Sequence, residues 1–140
     1  MTTKTLYILI GLPRSGKSTY AQSMGHPIVN PDSIRIALHG QAFIKKAEPF
    51  VWAIAHKMVE SLFLAGHNDV VLDATNTTSK RRKEWLSDAW DCRYIYLERP
   101  QHICVERAKS SGMDYLIPDI ERMAKSLELD EIPLSSFEKV

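Results

Sequence analysis

Gly11, Gly16, Lys17 and Ser18 stand in the pattern G-x-x-x-x-G-K-S, with Pro13, Arg14 and Ser15 inside it and Thr19 directly after it. Each residue type has a physical job in holding phosphate. Glycines let the backbone curl until successive N–H groups point at one anion, and a helix opening behind the loop adds the positive end of its dipole. Lys17 supplies a mobile charge able to bridge adjacent phosphates, and Ser18 a hydroxyl able to ligate Mg2+. The pattern is complete, and it follows an apolar strand-like run and precedes a helix-like one, the context that phosphate binding requires. Residues 11–19 are therefore expected to cradle the phosphates of a nucleotide.

Two further stretches carry carboxylates to the same place. "VVLD", residues 70–73, is an apolar strand ending in Asp73, whose carboxylate is expected beside Mg2+ together with Ser18. "IVNPDSIR", residues 28–35, begins at a strand end, so Asp32 and Arg35 fall near the carboxyl edge of a sheet, where open α/β folds bind ligands. Three residues apart on a first helical turn, the two share a face. A carboxylate there can take or orient the proton of an attacking hydroxyl, and an arginine beside it can hold an anionic group of the acceptor. Helix-dipole stabilisation by Asp32 is the competing reading. No Asn-Lys-x-Asp sequence follows a strand, which leaves a switch GTPase without its guanine reader.

The elements that position these groups alternate. Apolar, strand-forming runs occupy residues 5–10, 27–30, 70–73 and 93–98. Helices are expected over 16–24, closed by Gly25, over 31–39, ended by Gly40, and over 48–65. In the last of these Val51, Ile54, Ala55, Met58, Leu62 and Ala65 recur at three- and four-residue steps. Further helices are expected over 80–90 behind a Ser79 cap, over 100–109 and over 119–129, with residues 110–118 as a loop. The tail from Asp130 carries no clear pattern, and a final sheet strand is expected to be short or missing. Strands alternating with helices predict an α/β fold, a parallel sheet with helices on both faces, in one domain spanning residues 1–140.

Composition excludes several classes. The chain has 140 residues, 44% hydrophobic and 25% charged, without repeats or low-complexity tracts. Its apolar run at residues 6–12 is too short to span a bilayer and passes straight into the phosphate motif, so no membrane role and a cytoplasmic location are expected. Cys92 and Cys104 lack disulfide-framework or metal spacing, and five scattered histidines offer no zinc site. The net charge is +1, with six acids and three bases from Asp119 onward, a net of −3, against +4 for residues 1–118. No global basic field advertises nucleic acid, and for "KRRK" at 80–83, the densest basic spot, a solvated helix face is one of the open readings. Trp52, Trp85 and Trp90 sit on expected helices as packing residues.

The segments "GLPRSGKST", "VNPDSIR", "DATNTTSKRRKEW" and "CVERAKSSGMDYLIPDIERM" occur in an order that resembles the kinase domain of phage-type polynucleotide kinases and related small P-loop kinases, over residues 5–138. The resemblance implies transfer of the γ-phosphate of ATP, with Mg2+, to a 5′-hydroxyl of DNA or RNA, on a parallel sheet with a short lid. By position, Lys17 and Ser18 would hold phosphates and Mg2+, Asp32 would be the general base, and Arg35 would contact a phosphate of the acceptor. Asp73, Thr75 and Asn76 would line the site between ATP and acceptor, and Arg82 would be structural.

The lid departs from that resemblance. Its pattern is an Arg-Asn pair with a second arginine three residues on. Arg107 fits the first position, but Ala108 replaces the asparagine and Ser111 the second arginine, with Lys109 the nearest cation. An ion pair of Arg107 with Glu106 or Glu121 is the structural alternative. Three acceptor classes stay open: a polynucleotide 5′-hydroxyl, another hydroxyl (a hydroxymethylated base in DNA, or a nucleoside or sugar), and none at all, in an ATP-binding interaction module.

Overall fold

Residues 6–12 are apolar apart from Tyr7 and Gly11 because the strand they contain has no wet face. β1 (Thr5–Ile10) is the central strand of a five-stranded, fully parallel sheet in the order β2-β3-β1-β4-β5. Its partners are β3 (Asp69–Leu72), with Thr5 opposite Asp69, and β4 (Asp91–Tyr96), with Thr5 opposite Asp91. The edges are β2 (Ile28–Val29) and β5 (Phe137–Lys139). The computed structural model describes residues 3–40 and 43–140.

Side chains alternate across the sheet, and each set meets helices. Leu6, Ile8, Ile10, Val70 and Leu72 pack with α2 (Pro31–His39), α3 (Glu48–Leu64) and the tryptophans Trp85 and Trp90. Leu9, Val71, Ile95 and Leu97 pack on the opposite side with Ala21, Tyr20 and Met24 of the α1 segment (Lys17–Ser23). A third cluster joins Leu12 of the phosphate loop to Cys104 and Ala108 of α5 (Gln101–Ser110) and Ile120 of α6 (Ile117–Ser126). The loop that follows β1 is thus anchored on a small core of its own.

Several expectations are corrected. The helix expected over 80–90 is only α4 (Ser79–Lys83), and Thr78 rather than Ser79 caps it, accepting from the Arg81 amide. The chain leaves the helix because both tryptophans are drawn inward: Trp85 is fully buried, and its carbonyl accepts from Trp90 Nε1 (2.9 Å) and Cys92 Sγ (3.4 Å). β4 consequently starts two residues earlier than expected. In α3 the buried stripe is Val51, Ala55, Val59 and Phe63, while Met58 and Ala65 face outward. Residues 114–116 form a 3-10 turn that runs into α6, which ends at Ser126 rather than at 129.

The tail does complete the sheet. Phe137 pairs with Tyr94 and Lys139 with Tyr96, so the last strand is present and short. Arg82 is structural, as the resemblance implies: it is 2% exposed, donates to the Asn76 carbonyl at 2.7 Å, and also binds the Glu128 carbonyl and the Glu131 carboxylate. It ties the segment after β3 to the tail. The three tryptophans are packing residues: Trp85 meets Trp52 edge-on and stacks on His56 at 3.9 Å, and Trp90 stacks on Phe63. Cys92 and Cys104 are free thiols, and among the described residues no cluster of metal-ligating side chains occurs and no helix is long and apolar enough to cross a membrane.

Candidate active site

The carboxyl ends of β1, β2 and β3 meet at one edge, and the chemistry-bearing residues lie there. The loop after β1 needs glycine twice, for different reasons. A Cβ on Gly11 would fall 2.7 Å from Ser15 Oγ, so the position is closed by crowding. Gly16 has φ 99°, a left-handed conformation that glycine adopts without strain. Arg14 takes φ 67° with a full side chain, a conformation rare for such a residue. Pro13 is half-buried, Ser15 is buried, and Thr19 is exposed on the first turn of α1. That helix begins without a side-chain cap and without an acidic residue in its first turn. Its first amides and positive dipole end are left to an anion.

Lys17 lies folded back over the loop, 8% exposed, its Nζ donating to the Leu12 carbonyl at 2.9 Å. Burial lowers its pKa, against the opposing pull of Asp73 and Asp32. Ser18 Oγ donates to Asp73 Oδ2 at 2.9 Å, and Asn30 Nδ2 donates to the same oxygen at 3.2 Å. Asp73 is 5% exposed. A hydroxyl and a carboxylate oxygen side by side are the hard oxygen donors that Mg2+ takes, so Ser18 and Asp73 fit that ion.

Asn30 escaped the sequence reading although it does two things. Its Oδ1 accepts from the amides of Asp32 (2.8 Å) and Ser33 (3.4 Å), capping α2, while its Nδ2 orients Asp73. An Asn-Pro pair before a helical run was the available signal. Because Asn30 is the cap, the Asp32 side chain is not consumed by capping: it is 79% exposed and paired with Arg35 Nη1 at 2.6 Å.

Arg35 is occupied from a second side. Glu48, at the start of α3, receives its Nε at 2.9 Å and its Nη2 at 2.7 Å in a bidentate grip. The Glu48 hydrogen bonds raise the guanidinium pKa, and in return they hold the Glu48 carboxyl low. Arg35, expected to greet an anionic acceptor, stands between two carboxylates, Asp32 on one side and Glu48 on the other. Glu48 carried no motif; only the packing of α2 on α3 brings it there.

Thr75 and Asn76 brace the loop from behind. The Thr75 carbonyl accepts from the Gly11 amide at 3.0 Å, and Asn76, 2% exposed with φ 46°, donates to the Leu9 carbonyl at 2.8 Å. Asn76 lies beneath the cleft rather than on its surface. On the other flank, Arg107 Nη1 donates to the Arg14 carbonyl at 3.2 Å and Arg14 Nη2 to Ser111 Oγ at 2.8 Å. Arg107 makes no ion pair with Glu106 or Glu121. Ala108, where the resemblance leads one to expect asparagine, is fully buried within the third core cluster.

A cleft of about 510 Å3 opens beside Ser18, Asn30 and Asp73 and runs along the β2 edge between α1 and the α2–α3 pair. Its far wall is apolar, with Ile34, Leu38 and Ile54, and no lysine, arginine or histidine lines it.

Known proteins agree with this architecture. No curated protein matches the chain. A gluconokinase from Sinorhizobium meliloti 1021 superposes with a TM-score of 0.62 at 18% identity, over 100% of this chain and 83% of that one. A chain of the Pnkp1/Rnl/Hen1 complex does so at 0.62 with 27% identity, over 76% of this chain and 40% of that one. A chain of the Pnkp1/Rnl/Hen1 RNA repair complex reaches 0.64 at 23% identity, over 91% and 47%. This chain thus spans less than half the length of the Pnkp1/Rnl/Hen1 chains it matches. Residues 6–112, which hold the phosphate loop, the Ser18–Asp73 pair and the Arg107 turn, match the family model described as an AAA domain, and the chain belongs to that family with the fold of a P-loop kinase.

Proposed function

We propose that the protein transfers the γ-phosphate of ATP to a hydroxyl carried on nucleic acid, with the 5′-hydroxyl of a polynucleotide as first acceptor. The observation that carries the reading is the exposed Asp32 carboxylate, paired with Arg35 just past the carboxyl end of β2, at the sheet edge where the phosphate loop and the Ser18–Asp73 pair also lie. The 27% identity with a Pnkp1/Rnl/Hen1 chain, from a complex described in its second structure as one of RNA repair, supports the nucleic-acid acceptor.

Lys17 neutralises phosphate charge, and the loop amides orient the triphosphate. Ser18 and Asp73 would hold Mg2+, which would supply neutralisation of phosphate charge. Asp32 accepts the hydroxyl proton as the oxygen–phosphorus bond forms and the bond to ADP breaks, so ATP and alcohol give ADP, a phosphate monoester and one proton. Positioning and electrostatics supply the acceleration.

The test is label transfer from γ-labelled ATP to a 5′-hydroxyl oligonucleotide, with the 5′-phosphorylated oligonucleotide as control, and with Asp32→Asn beside the parent. Label confined to the free 5′-hydroxyl, lost in Asp32→Asn while ATP still binds, is the expected result; normal turnover in that variant removes Asp32 as base. A second reading, a hydroxymethylated base or a nucleoside or sugar as acceptor, is favoured by the cation-free cleft beside Asp73, which suits an uncharged ring better than a phosphate. Label entering only those acceptors would establish it. ATP binding with no transfer to any would favour an interaction module.

A further inference from the structure

Asn30 is the last extended residue before α2, with φ −126° and ψ 112°, and Pro31 after it opens the helix. The register of β2 on β3 sets Ile28 opposite Val71 and Val29 opposite Leu72, which brings Asn30 level with Asp73. The Asp73 amide donates to the Val29 carbonyl at 2.9 Å, so the two chains are fastened at that level. One planar amide then faces two ways. Its oxygen accepts from the Asp32 and Ser33 amides at 2.8 and 3.4 Å, and its nitrogen donates to Asp73 Oδ2 at 3.2 Å. The two ends cannot be exchanged, because backbone amides only donate and a carboxylate only accepts.

Capping alone would be met as well by serine, threonine or aspartate. Serine and threonine present a single polar atom, and an aspartate carboxylate has no donor, so none of them can cap α2 and also hold Asp73 through a second atom. Asp73 Oδ2 is the same oxygen that Ser18 addresses from the phosphate loop. We propose that Asn30 is a positioning residue that ties Asp73, on the Mg2+ side of the site, to the backbone bearing Asp32, so that occupancy of the metal–nucleotide site and order at the start of α2 are coupled. Arg35 is paired with the Asp32 side chain, whereas Asn30 fixes the backbone from which that side chain starts. β2 contributes only two paired residues, and the amide carries its attachment to β3 one residue past the strand's end. The inference rests on Ser18 and Asp73 as the metal pair and on Asp32 as the base.

Amide hydrogen exchange of the full chain, followed residue by residue by nuclear magnetic resonance, tests it with no acceptor present. The arms are no ligand, ADP alone, and ADP with Mg2+. In the parent, adding Mg2+ to the ADP-bound chain should slow exchange at Asp32 and Ser33 by at least about fivefold, and the first amides of α1 should respond as well. Asn30→Ser and Asn30→Asp both keep a cap, so each should fold with a melting temperature near that of the parent. Both lack the donor to Asp73, so the Mg2+ effect at Asp32 and Ser33 should fall below about twofold while α1 responds as before. A residue that only caps would leave the Mg2+ effect intact in these variants, and that result would overturn the proposal. A response in α1 of the parent without one at Asp32 and Ser33 would also overturn it, leaving the metal–nucleotide site standing; no response at either place would remove both. A chain that shows the coupling but transfers no phosphate refutes the proposed function without touching this result.

Discussion

The two sides of the sheet edge that carries the site treat charge in opposite ways. On the flank made by the phosphate loop and α5, Lys17, Arg14 and Arg107 form no ion pair with a carboxylate among the described residues, and backbone carbonyls or a hydroxyl hold them. On the flank made by α2 and α3, the one arginine is gripped by two carboxylates, and the cleft beyond it is largely apolar. A cation held by neutral dipoles keeps its charge available to a ligand, whereas a cation inside an ion-pair cluster has already spent its field on its neighbours. The first flank is built to receive anions. The second is built to hold one carboxylate in place beside an uncharged surface.

This contrast can be broken most severely at Lys17. Lys17→Ala should lower transfer from ATP by at least about 10²–10³-fold, measured as label transfer at saturating acceptor. A loss below about tenfold would mean that the loop amides alone neutralise the phosphates. Next in size is Glu48→Gln, which loosens Arg35 without touching the loop. The expected result is a fall in kcat of about three- to tenfold with ATP affinity unchanged, since Asp32 loses its alignment. An equal loss of ATP affinity would show that the two flanks are not independent.

The smallest effect lies outside the cleft and serves as its control. His56 stacks on Trp85, and burial lowers its pKa below the ordinary 6.5. A histidine that binds its proton less readily in the fold than in the unfolded chain contributes fully above the unfolded value. That contribution is lost as pH falls below 6.5 toward the folded pKa. Denaturant melts at about pH 7.5 and pH 5.5 should therefore show lower stability at acid pH, with a flatter dependence in His56→Phe. ATP affinity should be unchanged by that substitution at the higher pH.

Local pattern carried much of the architecture because the relevant physics is local. Strand runs at 5–10 and 70–73 are apolar throughout, which only a doubly covered parallel strand requires, and Gly25, Gly40 and Gly66 mark helix ends through their left-handed backbone. The pattern failed at 80–90, where helical propensity favoured continuation but burial of Trp85 and Trp90 under the sheet prevailed. It left the tail open between a short strand and none, because a three-residue edge strand gains its stability from β4 and not from its own residues.

By itself the sequence determined the phosphate loop, since its glycines, lysine and serine act within one turn of chain and need no distant partner. It also placed Asp32 and Arg35 on one helical face, because their separation is less than one turn. Only the tertiary structure decided what those residues work against. Glu48 reaches Arg35 from thirteen residues away, Asn30 reaches Asp73 from 43, and Ser111 reaches Arg14 from 97. Such contacts depend on how helices pack across a sheet, and helix packing is set by summed side-chain volumes rather than by any local spacing.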